Sequence, residues 1–235
     1  MHWPEHVEAC HAVARLIPIT GTAGDLYLDR GIDRWSPAAS YSRREVSRMA
    51  VALDRRYRFT VDQYHRMAEA KIFDAGCRVE LVDGVIFEMT PVDPWHAGVV
   101  NWLTHRFVTM LGDRAVVHVQ NPVGLDSRSE PQPDVMLLSP RADFYRTAHP
   151  EPEHALLLVE VANTSLRHDR GRKLPVYART GVAEVWIVNR RAGAVEVFRA
   201  PSSSGYQERE VIGRGGHVAP AALLDCRLLV DDILG

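Results

Sequence analysis

Two carboxylates in the middle third of the chain stand where carboxylates are expensive. Asp134 follows a proline at the start of the apolar run DVMLLS, and Glu160 lies inside ALLLVEVAN, the most apolar stretch of the sequence. Burying an ionised carboxylate without a partner costs several kcal/mol or more, so such a group is paired, hydrogen-bonded or bound to a metal. On adjacent strands the two side chains could converge on one cation, supplying the hard oxygen ligands that Mg²⁺ prefers and leaving positions for water and phosphate. The plainer alternative is a strand-end Asp and a sheet-edge Glu in local salt bridges, and these two residues alone leave both open. Lys173 bears on the choice. The chain holds 28 lysines and arginines, yet its only lysines are Lys71 and Lys173. Arginine does not readily give up a proton, whereas a lysine pKa can be moved and its ammonium is a compact point charge. A lysine retained here points to chemistry; a lysine on a solvated helix face is the alternative.

The elements that must position these groups follow from patterning. Thr60 and Gln63 have capping-box spacing and predict a helix over 61–74. VELVDGVIFEM places Asp83-Gly84 between two β-rich arms, the form of a type I′ hairpin. Val99, Val100, Leu103, Phe107 and Leu111 recur at helical spacing over 95–111, ended by Gly112. AVVHV, a Pro-interrupted stretch around NPVGL, DVMLLS and ALLLVEVAN read as strands, the last apolar enough for a sheet centre. A helix over 168–180, kinked or delayed by Pro175, precedes EVWIVN, AVEVFRA, YQEREV and a short C-terminal stretch. The order αββαβββαβββ predicts one mixed sheet with helices on its faces. Residues 1–55 have little periodicity and read as an N-terminal extension, with Met49 an alternative start; residues 56–235 form the domain.

The segments RVELVDGVIFEMTP, PQPDVMLL and LLLVEVANTSLRHDRGRKLPVYARTGVAEVWIVN resemble the Uma2 family, a branch of the PD-(D/E)XK nuclease superfamily. The likeness runs from about Arg58 to the C-terminus. It implies an α/β (α+β) fold of the restriction-endonuclease-like type, a mixed β-sheet flanked by helices. It also implies hydrolysis of DNA phosphodiester bonds with Mg²⁺ (or Mn²⁺) and no organic cofactor. Pro133-Asp134 and Glu160 match the superfamily pattern, but two residues after Glu160, where the pattern has lysine, this chain has Ala162. In the family the lysine has moved to the following helix, which makes Lys173 the matching residue.

Glu80 matches a further acidic position and would bring a third carboxylate to the metal; a surface ion pair with Arg78 is its alternative. His96 matches a position often held by histidine, for a phosphate contact or proton transfer, with capping or packing as the alternative. Asp169 and Arg172 flank Lys173 and would orient it. The resemblance therefore implies Asp134, Glu160, Lys173 and Glu80 as catalytic residues. Asp134, Glu160, Glu80 and the Val161 carbonyl would hold the metal, and His96 and Arg172 would bind substrate. A nuclease-fold module that only binds nucleic acid or a partner protein is the competing reading.

Bulk properties bound these expectations without selecting among them. The net charge of −2 advertises no global field for nucleic acid, so any phosphate-binding surface must be local. Cys10, Cys77 and Cys226 lack any ligand or disulfide spacing and read as free thiols, and no apolar run reaches membrane-span length, so a cytoplasmic location is expected. A homodimer is expected as well, because two copies about a two-fold axis cut both strands of a duplex. His2, His6, Cys10 and His11 fit no standard zinc spacing, and the glycine-rich GRGGHVAP at 213–220 lacks the lysine of a phosphate loop. Asp126 and Glu130 read as a polar loop, and Trp186, Phe198 and Tyr177 as core.

Overall fold

The computed structural model describes residues 56–235. The expected N-terminal extension and the group His2, His6, Cys10 and His11 lie outside the described residues. Helix α1 (Val61–Glu69) starts on the expected capping box, in which Thr60 Oγ1 accepts from Gln63 N and Gln63 Oε1 accepts from Thr60 N. It ends earlier than the expected 61–74, because Lys71 takes a left-handed φ of 54° and turns the chain out of the helix. Strands β1 (Val79–Val82) and β2 (Val85–Glu88) form a two-stranded sheet of their own. Its turn residues Asp83 and Gly84 have φ of 52° and 72°, as a type I′ turn requires. Gly84 is required twice over, since a Cβ there would lie 2.7 Å from Arg58 Cβ.

Helix α2 (Pro94–Leu111) is capped by Asp93 and buries Val99, Val100, Leu103, Phe107 and Leu111, the stripe its sequence predicts. It lies on one face of a six-stranded sheet, β3 (Val116–Val119), β4 (Val135–Leu138), β5 (Ala155–Ala162), β6 (Glu184–Asn189), β7 (Ala194–Ser202) and β8 (Gly205–Gly213), in that spatial order. Neighbours are antiparallel except for β5 and β6, which are parallel. The fold is thus a mixed sheet flanked by helices. The stretch around NPVGL is not a strand: it is irregular with isolated bridges, since Pro122, Pro131 and Pro133 cannot donate to a ladder.

A parallel pair needs a crossover connection, and here it covers the second face of the sheet. Helix α3 (Leu166–His168), a π turn over Asp169–Lys173 and helix α4 (Leu174–Arg179) run on without a break. The wide turn closes where Leu174 N–H donates to Asp169 O. Pro175 interrupts the α-helical pattern at this turn, because its ring clashes with an α-helical Gly171 carbonyl and it has no N–H to donate. Strand β5 is therefore buried on both sides. Leu157, Val159 and Val161 face α2, while Leu158 and Ala162 share a cluster with Val176, Tyr177 and Ile187 beneath the crossover. Strands β9 (His217–Val218) and β10 (Leu228–Leu229) pair, and helix α5 (Val230–Leu234) closes against the α2 face.

Candidate active site

Register brings Asp134 beside Glu160. Val135 pairs with Val159 across β4 and β5, so Asp134 stands one step further along, opposite Glu160. Its Oδ2 accepts the Val161 N–H at 2.8 Å, and its Oδ1 lies 2.9 Å from His96 Nε2 and accepts from Gln120 Nε2 at 3.3 Å. Val161 thus meets the site through its N–H. His96 is delivered by the N-cap of α2, where Asp93 Oδ1 accepts from both Trp95 N and His96 N. Burial lowers the His96 pKa, but the hydrogen bond and charge of Asp134 outweigh it, so the imidazole holds its proton above its ordinary range.

The π turn sets the other half. Asp169, Lys173 and Tyr177 recur every four residues, and the wide turn holds all three on the inner face, each no more than 3% exposed. Lys173 Nζ reaches Glu160 Oε1 at 3.0 Å and Glu80 Oε2 at 3.1 Å. Tyr177 Oη donates to Glu160 Oε1 at 2.6 Å, and Ser165 Oγ donates to Asp169 Oδ2 at 2.7 Å. Burial disfavours the Lys173 ammonium, yet Glu160, Glu80, Asp169 and Asp134 together raise its pKa, so it stays protonated. Burial likewise raises Glu80, but Lys173, His168 Nε2 at 3.1 Å and the Gln132 N–H at 3.0 Å bring it down to about 2. Glu160 is pushed well up, first by burial and then by the charges of Asp169, Asp134 and Glu80.

Most of the expected residues gather around one cleft of about 310 Å³: Glu80, His96, Asp134, Glu160 and Lys173 line it. Arg172 does not; it is exposed on the π turn and outside the lining. Glu80 pairs with Lys173 and His168 rather than with Arg78. Tyr177, which sequence pattern assigns to the core, is a direct partner of Glu160, and its spacing of four from Lys173 is the signal that could have found it. His168 and Gln132, which hold Glu80, carry no sequence signal.

The donor set fits a small hard cation. Glu80, Asp134, Glu160 and Asp169, none more than 7% exposed, gather around one ammonium, and the crowding of burial and like charge that raises Glu160 and Asp169 is what a divalent ion would relieve. Glu160 Oε1 is engaged by Lys173 and Tyr177, and among the described residues none donates to its Oε2. Glu80, Asp134 and Glu160 do not form a three-ligand group. Among the described residues, the group of three with ligand atoms within 4.8 Å of one another is Glu151, Glu153 and His154, none of which lines the cleft. Asp134 and Glu160, on neighbouring strands, are the acids that could hold such a cation, with water completing its shell.

Comparison with known proteins decides the family. Residues 61–230 match Uma2, described as "Putative restriction endonuclease". The chain belongs to the Uma2 family. The crystal structure of "a putative nuclease belonging to DUF820" from Anabaena variabilis aligns with this Uma2 chain at a TM-score of 0.58 and 12% sequence identity, covering 75% of this chain and 97% of that one. That likeness is one of fold. No curated protein matches. Among the described residues no helix is long and apolar enough to cross a membrane.

Proposed function

We propose that residues 56–235 form a divalent-metal-dependent endonuclease domain hydrolysing DNA phosphodiester bonds, with Asp134, Glu160 and Lys173 at its centre. The observation that carries this reading is the convergence of Asp134 and Glu160 from adjacent strands with the Lys173 ammonium 3.0 Å from Glu160; membership of Uma2 supports the substrate class. Asp134 and Glu160 would hold Mg²⁺ or Mn²⁺. When bound, such an ion neutralises phosphate charge and acidifies its coordinated water.

The chain's own residues supply the rest. Lys173, held protonated by the acids around it, donates to negative charge developing on the phosphate and cannot serve as a base. Glu80 keeps that ammonium in place. Tyr177 fixes one oxygen of Glu160, leaving the other for the cation. His96, hydrogen-bonded to Asp134, would give a proton to the departing oxygen. Two copies acting about a two-fold axis would cut both strands of a duplex.

Supercoiled plasmid incubated with Mg²⁺ or Mn²⁺ should be nicked or linearised by the wild type, and Asp134→Asn and Glu160→Gln should abolish this. Cleavage that persists in EDTA, or in both variants, would remove the site assignment. Absence of cleavage of any DNA form would favour a binding module, a reading to which the engagement of Lys173 by Glu80, Glu160 and the Gln132 carbonyl also lends support.

A further inference from the structure

The cationic groups of the cleft are nearly all committed to acids. Lys173 is buried in ion pairs with Glu80 and Glu160, and His96 and His168 each face a carboxylate. Arg78 differs. It is exposed on the cleft wall, and its guanidinium donates to two neutral oxygens, Gln120 Oε1 at 3.2 Å and Gln132 Oε1 at 3.4 Å. Among the described residues it has no ion pair. A guanidinium stays charged and carries five donors, so those not engaged by the two glutamines are open to an anion.

Gln120 links this cation to the acidic centre. Its oxygen accepts from Arg78 while its nitrogen donates to Asp134 Oδ1 at 3.3 Å, so one amide spans the guanidinium and the proposed metal ligand. The backbone is bent to allow it: Gln120 sits at φ 52°, a left-handed conformation that is unfavourable for glutamine and persists only where its surroundings hold it.

We propose that Arg78 is a phosphate-binding residue of this cleft, receiving the non-bridging oxygens of a phosphodiester beside Asp134, with Gln120 as its positioning residue. The substrate class rests on the nuclease reading; the anion site rests on Arg78 and its neutral partners. A planar fork suits two phosphate oxygens at once, and a free positive charge at the rim would offset the negative cleft that a DNA strand must approach.

The test is fluorescence anisotropy of a fluorescein-labelled single-stranded DNA oligonucleotide in EDTA over a salt series, with each variant's folding checked by thermal melting. Arg78→Ala should weaken binding about tenfold and reduce the slope of log K against log salt by about 0.7, the share of one single-strand phosphate contact. Arg78→Lys should keep the slope and recover only part of the affinity. Gln120→Gly, which tolerates the left-handed φ, should weaken binding without lowering the melting temperature. Affinity and slope in Arg78→Ala equal to wild type would overturn the proposal, as would a wild type that does not bind the oligonucleotide. Plasmid cleavage separates it from the nuclease reading. Arg78-dependent binding without cleavage keeps the phosphate site and removes catalysis, whereas cleavage with an indifferent Arg78→Ala removes the site and keeps catalysis.

Discussion

Removing Lys173 does two things at once. It takes away the ammonium proposed to act on phosphate, and it leaves Glu80 and Glu160 buried without their cation. Breaking a buried pair in this way costs about 3–5 kcal/mol, so Lys173→Ala should lower stability to urea by that order as well as abolish cleavage. Adding Glu80→Gln removes one of the orphaned charges, and the double variant should regain part of the stability while staying inactive. A double variant as unstable as the sum of its parts would mean that Glu80 and Lys173 are not coupled. Glu80 gives a pH signature too. Its folded pKa of about 2 lies below its ordinary 4.5, so its ionisation stabilises the fold above that ordinary value, and the contribution is lost as pH falls from 4.5 towards 2. Urea stability of the wild type should fall over that window more steeply than that of Glu80→Gln; parallel curves would contradict the depressed pKa.

At the level of elements, the geometry of the candidate site depends on a turn that patterning does not encode. Apolar strands carrying an acid are visible in a sequence because a charge stands out against Val and Leu, and a lone lysine stands out among arginines. The Asp83-Gly84 hairpin, the Thr60 cap and the stripe of α2 are visible because each is a local rule satisfied by neighbouring residues. The π turn is different: Pro175 signals that an α-helix is interrupted, but not whether the chain kinks, breaks or widens. Asp169, Lys173 and Tyr177 lie on the buried face of the widened turn, and because patterning does not show that face, Tyr177 is legible only as core, which it also is, and Arg172 as part of the site. Pro175→Ala restores an N–H that can reach the Gly171 carbonyl and so favours an ordinary α turn, which would rotate Lys173 away from Glu160. The expected result is a lower melting temperature, because the buried acids lose part of their cation, together with plasmid cleavage slowed about tenfold or more. Full activity in this variant would mean that the turn does not depend on the proline.

On the scale of the whole molecule, one sheet assembles the site and two layers seal it. Strands β4 and β5 set Asp134 against Glu160, the parallel step from β5 to β6 forces the crossover that carries Lys173, and α2 brings His96 from the opposite face. The result is a buried acidic cleft in a chain of net charge −2, with Arg78, which among the described residues has no ion pair, on its wall. A divalent ion held as proposed by the folded state should also stabilise it: about 2.7 kcal/mol at a metal concentration of 100 Kd. Metal binding can be read without knowing which form of DNA is cut, so it bears most directly on the central claim. Calorimetric titration of Mn²⁺ into the wild-type protein without DNA should reveal a site that Asp134→Asn and Glu160→Gln each remove while their melting temperatures confirm folding. Equal Mn²⁺ binding by wild type and both variants, or none by any of them, would contradict a metal centre built on Asp134 and Glu160.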